Sequence, residues 1–205
     1  MDRRTQAPGK VALLITSLCL TSAGLWAQQC QAETYTFDTK STEVRFTYQF
    51  GLLPQSGRFA EVKGSVEFNE RAPERSRVDA VINAASLTAG DPMVENELKG
   101  ESFFNVAVQP EIRFKSRAVK ATTKNRAELL GELTMNGVTR PVTLQVMFYS
   151  KGAPLPAQDG RQLTAAGPFF TATTRINRSL FNMTAYRMLV ADEIEIEIGA
   201  PLRKK

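Results

Sequence analysis

The sequence predicts an all-β, antiparallel protein, and two observations carry that prediction. The first is a hairpin in residues 129–148, where two runs of alternating side chains flank Asn136 and Gly137. A two-residue Asn-Gly loop is the strongest short-range hairpin signal, because both residues tolerate the positive φ that such a turn needs. The second is that similar period-two segments recur along the chain, separated by turns and without long helical crossovers. Together they predict successive antiparallel strands in a meander.

The predicted strands each carry one apolar face. In residues 43–50, Val44, Phe46, Tyr48 and Phe50 alternate with polar neighbours, which is typical of a strand packed on one side. Gly and Pro mark the predicted turns and loops, at 51–57, 70–74 and 150–160. In chain order the predicted strands are 35–37, 43–50, 58–69, 77–87, 111–120, the two arms of 129–148, 162–177 with a break at 167–168, and 192–199.

One short helix interrupts the strands, at about residues 91–100. Asp91 is a plausible N-cap and Pro92 suits the first helical turn. Val94 and Leu98 lie four apart and are expected to face inward together. A helix this short is not stable alone, so we expect it to be docked on the sheet.

Two charged stripes allow more than one interpretation. Glu193, Glu195 and Glu197 could supply paired carboxylates, but their period places them outward on a terminal strand, where charges discourage edge pairing. The stripe of Arg113, Lys115 and Arg117 could cradle an anionic lipid head or a membrane surface. The favoured interpretation of that stripe is a solvated outer face.

The first 32 residues have the order of a secretory signal. Basic residues precede an apolar segment of residues 11–26, and small residues then stand at Cys30 and Ala32, the positions that a signal peptidase reads. Cleavage after Ala32 is the first expectation and after Ala27 the second; an uncleaved anchor is the less favoured alternative. The predicted organisation is a signal at 1–32 and one domain at 33–205.

Removal of residues 1–32 limits the reactive side chains that the mature chain contains. Residues 1–32 contain both cysteines, three basic residues and one acidic residue, so the 26 basic and 21 acidic residues of the whole chain fall to 23 and 20. A net charge of +3 gives no reason to expect nucleic acid as a partner. The chain has no histidine, so the common nucleophile–base pairs are missing. We therefore expect no enzyme, no catalytic residues and no metal site.

A series of short motifs, in this order, resembles the YceI-like family. The resemblance runs from Tyr35 to about Ile198. The motifs are Tyr35–Asp38, Ser41–Phe46, Gly57–Phe59, Gly64–Phe68, Ala85–Leu87, Leu98 with Phe103–Val106, Pro110–Ser116, Gly131–Val142, and Ile176–Arg178 with Phe181. The resemblance implies an extended, lipocalin-like antiparallel barrel with one short docked helix. It also implies an apolar tunnel for a polyisoprenoid or similar long lipid in the periplasm, for carriage or storage.

The chain departs from the family in two places. Many members carry histidines around the first two strands and an Arg-Asp pair in the helix segment, where this chain has no histidine and has Asp91-Pro92. This variant resembles members encoded with a diheme membrane cytochrome b. The alternative function is therefore quinone binding, or interaction with an inner-membrane cytochrome b. A homodimer also stays open, as do a quinone or a fatty-acid-like molecule as the ligand; no cofactor is expected.

The residues alone allow either a filled or a hollow barrel. With the resemblance, the hollow one is favoured, and Phe46 in its wall would tolerate truncation to Ala with little loss of stability. The residues expected to line the tunnel are Phe46, Tyr48, Phe50, Phe59, Phe68, Ile82, Phe103, Phe114, Leu133, Leu144, Val146 and Phe148.

Overall fold

Antiparallel strands make up most of the computed structural model, which describes residues 32–69, 71–155 and 164–205. Within these ranges there are eleven strands, one α-helix and three short 3₁₀ turns. The strands are β1 (Glu33–Phe37), β2 (Glu43–Phe50), β3 (Leu53–Phe59), β4 (Val62–Phe68), β5 (Arg77–Asn83), β6 (Leu87–Ala89), β7 (Glu111–Ala121), β8 (Arg126–Met135), β9 (Val138–Tyr149), β10 (Phe169–Asn177) and β11 (Glu193–Lys204). The helix is α1 (Pro92–Lys99), and the 3₁₀ turns are Pro73–Arg75, Ala84–Ser86 and Arg178–Phe181.

The sheet closes into an eight-stranded barrel because three of its long strands are each built from two pieces. β1 and β2 both pair with β11, with Phe37 opposite Leu202 and Val44 opposite Ile198. They are therefore consecutive pieces of one broken strand. β3 and β4 form the next strand in the same way, and β5 and β6 the third. With β7 to β11 pairing in chain order, the result is an up-and-down barrel closed by β11. The predicted fold class and meander are confirmed.

The predicted hairpin forms the β8–β9 pair. Met135 lies opposite Val138, and the turn residues Asn136 and Gly137 have φ of 47° and 73°. Pro141 lies within β9, opposite Glu132. Its nitrogen is on the same side of the strand as the Thr143 carbonyl, which faces β10 and accepts a hydrogen bond from a β10 side chain. Because β10 pairs with β9 only from Gln145 onward, the missing N–H of the proline leaves no ladder bond unmade.

Three segments before α1 differ from the sequence prediction. The predicted strand 58–69 is divided at Ala60 and Glu61, between β3 and β4. The predicted turn at 51–57 is wrong, because the chain reverses within Gly51 and Leu52 and then pairs with β2 as β3. Pro54 fits there because β6 joins β3 only at residues 57–59, which leaves the other edge open beside the proline. The predicted strand 77–87 is broken at Ala84–Ser86, where the Asn83 side chain accepts a hydrogen bond from the Ala85 N–H.

The last strand is longer than predicted and is not an edge. β11 extends to Lys204 and pairs with β10 on one side and with β1 and β2 on the other. Its glutamates face outward as expected, but they meet cations across the sheet instead of protecting an edge. Arg175 lies 3.6 Å from Glu193 and 3.4 Å from Glu195, and Arg45 pairs in register with Glu197.

The predicted helix is confirmed as α1. The Asp91 carboxylate accepts hydrogen bonds from the N–H groups of Met93 (2.7 Å) and Val94 (3.2 Å), which caps the first turn. Leu98 and the following Phe103 and Phe104 are buried, so this short helix is held by its contacts with the barrel. It lies at the same barrel end as the β2–β3, β8–β9 and β10–β11 connections, which we call the helix end.

Candidate functional site

A cavity of about 1380 Å³ lies inside the barrel. Its wall is formed by the inward faces of the strands, and the period-two pattern is what turns those apolar side chains inward. Residues from the loops at both barrel ends also belong to the wall, so the cavity runs along the barrel. Most of its surface is therefore apolar.

The structure places all twelve predicted tunnel residues in this wall. They come from seven strands and the segment after α1. Their part in holding a ligand stays a prediction. The twelve are Phe46, Tyr48, Phe50, Phe59, Phe68, Ile82, Phe103, Phe114, Leu133, Leu144, Val146 and Phe148.

Inward side chains that are not fully buried show that the barrel is hollow over part of its length. Ile194, Ile196 and Ile198 point inward from β11, a strand paired on both sides, yet each is only half-buried. Their accessible surface faces the cavity, whose wall includes all three. A barrel of eight strands can be filled by side chains or can hold a ligand. Next to this part of the wall, the side chains of the described residues leave open space.

A second part of the wall is packed. We call Phe46, Phe59 and Phe104 the packed cluster: their ring centroids are 5.2–5.9 Å apart and the side chains are at most 8% exposed. Gly57 lies opposite Phe46, and a Cβ there would stand 2.4 Å from the Phe46 Cζ atom. Phe46 therefore borders the cavity but is packed as a core residue is. This packing differs from the tunnel wall that the small loss of stability for Phe46→Ala presumed, and we expect that variant to lose as much stability as a core truncation does.

A second aromatic group faces the open space. We call Phe68, Phe148 and Phe170 the open cluster: their centroids are 5.0–5.5 Å apart, and all three side chains are only half-buried. These rings lie at the end of the barrel opposite α1, because β4 and β9 end there and β10 begins there. They present aromatic surface to whatever occupies the cavity.

Arg178 is the buried charged residue of the site. It is 3% exposed, and its guanidinium donates to the carbonyls of Ala191 (3.0 Å), Met183 (2.7 Å) and Val190 (2.9 Å). The same group lies 5.9 Å from the centre of the Phe103 ring. Burial lowers the pKa of Arg178, an effect that the nearby Asp192 opposes. These three hydrogen bonds join different parts of the β10–β11 connection, residues 178–192, to one another. Sequence analysis included Arg178 only as a member of the family motif Ile176–Arg178 and predicted no role for it.

The two mouths of the cavity differ in polarity. At the helix end the wall includes exposed Met93 and Leu189, and Tyr186 donates a hydrogen bond to the Glu97 carboxylate at 3.2 Å. That hydrogen bond raises the pKa of Tyr186. At the opposite end the wall includes three exposed cations, which we call the basic mouth: Arg71, Lys124 and Arg126.

The basic stripe of β7 lies on the outer surface. Arg113 forms an ion pair with Glu111, and Arg117 lies 2.6 Å from Glu132. Neither these residues nor Lys115 belong to the cavity wall. Of the two interpretations of this stripe, the solvated outer face fits the structure.

The described residues contain neither a candidate metal site nor a candidate membrane-spanning helix. Within residues 32–69, 71–155 and 164–205, no group of three or more His, Cys, Asp or Glu side chains is placed to hold a metal ion. No helix in the same ranges has both the length and the apolar character needed to cross a bilayer.

The closed meander and its long apolar cavity define a lipocalin-like β-barrel. Residues 35–201 match the model of the YceI-like domain, and the chain belongs to that family. A UPF0312 protein of Pseudomonas putida (strain GB-1) is 31% identical over 170 residues, which cover 82% of this chain and 85% of the relative.

Solved structures share the fold at lower identity. BcnA of Burkholderia cenocepacia superposes with a TM-score of 0.70 at 24% identity, over 82% of this chain and 99% of BcnA. A polyisoprenoid binding domain from Saccharophagus degradans gives a TM-score of 0.62 at 11% identity, over 83% of this chain and 98% of that domain. At these identities the likeness shows the barrel fold alone.

Proposed function

We propose that the protein binds a long-chain isoprenoid or related amphiphilic lipid in the barrel cavity and carries or stores it in the periplasm. The observation that supports this most is the cavity itself, at about 1380 Å³ with an apolar wall. Sites for drug-sized ligands span roughly 300–1,000 Å³. The space therefore suits a longer molecule, and its elongated shape suits a chain.

The energetics of such a complex are favourable without any specialised polar contact. Burying one CH₂ group stabilises the complex by about 0.8 kcal/mol, so roughly ten carbons contribute about 8 kcal/mol. That corresponds to a dissociation constant near micromolar before the costs of association are counted. A longer chain offsets those costs.

Two further observations support the ligand class and the compartment. One structural neighbour is described as a polyisoprenoid binding domain. The N-terminal residues 1–32 have the order of a secretory signal, although their structure lies outside the described residues except for Ala32. Export with cleavage predicts a purified chain that begins at Glu33, or at Gln28 if the upstream site is used.

Native mass spectrometry of protein purified from its own cell envelope tests ligand and compartment together. We expect a processed chain with a co-purifying mass of an isoprenoid or other long-chain lipid. A quinone mass would favour the alternative function instead. A chain that begins at Met1 in the envelope would contradict export with cleavage.

Titration of the delipidated protein with geranylgeraniol, a neutral C20 isoprenoid alcohol, tests the site. Val146→Asp places an unpaired carboxylate in the apolar wall and should abolish binding. Gln145→Asp, on the exposed face of the same strand, is the matched control and should bind as the wild type does. Circular dichroism checks that both variants fold. Wild-type protein that does not bind the probe, or equal binding by both variants, would contradict the proposal.

A further inference from the structure

The charges of the cavity wall are distributed unevenly between its two mouths. In the described part of the chain, the wall contains four cations, of which three form the basic mouth. The fourth, Arg178, is at the helix end and already donates to three carbonyls. The one acidic side chain of the wall, Glu97, also lies at the helix end. The basic mouth therefore has no carboxylate of its own among the described wall residues.

The cations of the basic mouth also have no ion-pair partner among the residues that the structure describes. Among the described residues, no carboxylate lies within salt-bridge distance of Arg71, Lys124 or Arg126. Cations on the neighbouring outer surface of the barrel behave differently. Arg117 and Lys120 of β7 pair with Glu132 and Glu128 of β8, at 2.6 and 3.9 Å. With respect to the described carboxylates, the cations of the mouth are thus available to an anion, whereas Arg117 and Lys120 on the outer surface are paired.

The basic mouth stands directly above the open cluster. Arg71 follows Phe68 by three residues, at the end of β4. The Phe148 N–H donates at 2.8 Å to the carbonyl of Asn125, the residue between Lys124 and Arg126. The three cations of the basic mouth and the half-buried rings of the open cluster therefore follow one another along the cavity. This order matches an amphiphile with an anionic head and an apolar chain.

We propose that the basic mouth binds the anionic head group, a phosphate or a carboxylate, of the lipid whose chain fills the cavity. The head lies at Arg71, Lys124 and Arg126, and the chain runs past the open cluster toward the helix end. Guanidinium groups favour this role, because their planar donors match phosphate and carboxylate oxygens in pairs. At the other mouth, Glu97 and the exposed apolar side chains disfavour an anion. The inference rests on the proposed function and adds the charge and orientation of the ligand.

The test compares geranylgeranyl phosphate with geranylgeraniol, which share one chain and differ in the head. Titration calorimetry of the delipidated full protein should give roughly tenfold tighter binding of the phosphate, the size expected for a few exposed charge contacts. The variant R71Q/K124Q/R126Q should lose that preference and keep its affinity for the alcohol. R113Q/K115Q/R117Q, which removes the same charge from the outer surface of β7, should keep the preference. Added salt should weaken the phosphate complex only.

Each contrary outcome has a distinct meaning. Equal wild-type affinity for the two probes, or an equal loss of preference in the two triple variants, would overturn the head-group site and leave the proposed function intact. Absence of binding by either probe would overturn both. Inorganic phosphate separates a lipid head-group site from a general anion site. If it binds as tightly as geranylgeranyl phosphate, the mouth does not recognise a lipid. The single variant R126Q repeats the comparison with less change to the surface.

Discussion

The packed cluster and the open cluster both consist of three phenylalanine rings that border the cavity, yet their surroundings differ. Ring centroids are 5.2–5.9 Å apart in the packed cluster and 5.0–5.5 Å apart in the open cluster. In the packed cluster the side chains are 3–8% exposed, whereas in the open cluster they are half-buried. The distances between rings are therefore similar in the two clusters. The clusters differ in whether other side chains or open space face the remaining surfaces of the rings.

The comparison shows that one barrel interior can combine a core with a binding site. Near α1, Phe104 and Leu98 enter the interior from outside the sheet and complete the packing around Phe46 and Phe59. At the other end, Phe68 and Phe170 pack against a smaller group of buried side chains, Tyr35, Val66 and Leu202, and stay half-buried at the cavity wall. The same cavity is thus bordered by fully buried rings at one end and by half-buried rings at the other.

The largest expected effect is a difference between two truncations of phenylalanine. Phe59→Ala should lower the free energy of unfolding by about 3–5 kcal/mol, because it leaves a void among buried rings. Phe148→Ala should cost less, because its ring already borders open space and the surface that it vacates joins the cavity. Urea unfolding of delipidated protein, followed by circular dichroism, measures both. Equal losses would show that the two clusters are packed alike.

A smaller effect should follow from adding a methyl group beneath Phe46. Gly57→Ala places a Cβ 2.4 Å from the Phe46 ring, which Phe59 and Phe104 hold in place. We expect a loss of about 1–3 kcal/mol from overpacking. Gly199→Ala is the matched control, because its added Cβ would stand 3.5 Å from Phe169, an ordinary contact. Its unfolding free energy should stay within about 0.5 kcal/mol of wild type. A stable Gly57→Ala protein would mean that the packed cluster can shift.

The smallest effect concerns Tyr48, whose ring stacks on Phe46 at a centroid distance of 6.3 Å. Burial raises the pKa of Tyr48 above its ordinary value of about 10. The unfolded chain therefore loses this proton at lower pH than the folded chain does. The contribution of the neutral Tyr48 side chain to stability is therefore complete below the pKa that Tyr48 has in the unfolded chain. It is lost as the pH rises through the higher pKa of Tyr48 in the folded protein.

Tyr48→Phe removes this ionisation and should flatten the alkaline decline of stability. The measurement is the melting temperature of both proteins from pH 8 to pH 11. Parallel declines would mean that the Tyr48 hydroxyl is as well solvated in the folded protein as in the unfolded chain.

Local sequence signals predicted most of the fold. Asn136-Gly137 specified the hairpin because the turn needs positive φ, and Asp91-Pro92 specified the start of α1 because a cap and a proline suit a first turn. The strand at 43–50 was predicted with its exact bounds from alternation alone. Pro54 led to the wrong prediction of a turn at 51–57. A proline fits within a strand where the strand edge on its nitrogen side is unpaired. That edge of β3 is unpaired at Pro54 because β6, which is distant in sequence, reaches only residues 57–59.

What the sequence determined by itself is which side of each strand faces inward. Alternation of apolar and polar residues records that side, and the eleven predicted tunnel residues that lie in strands accordingly line the cavity. Only the tertiary structure decided what stands opposite each of them, because a neighbour across the barrel comes from a remote part of the chain. Phe46 is packed because Phe104 reaches it, whereas Phe148 is open. The basic mouth follows the same rule, since Arg71 is brought to the same end of the cavity as Lys124 and Arg126 only when β5 pairs with β4 and β7.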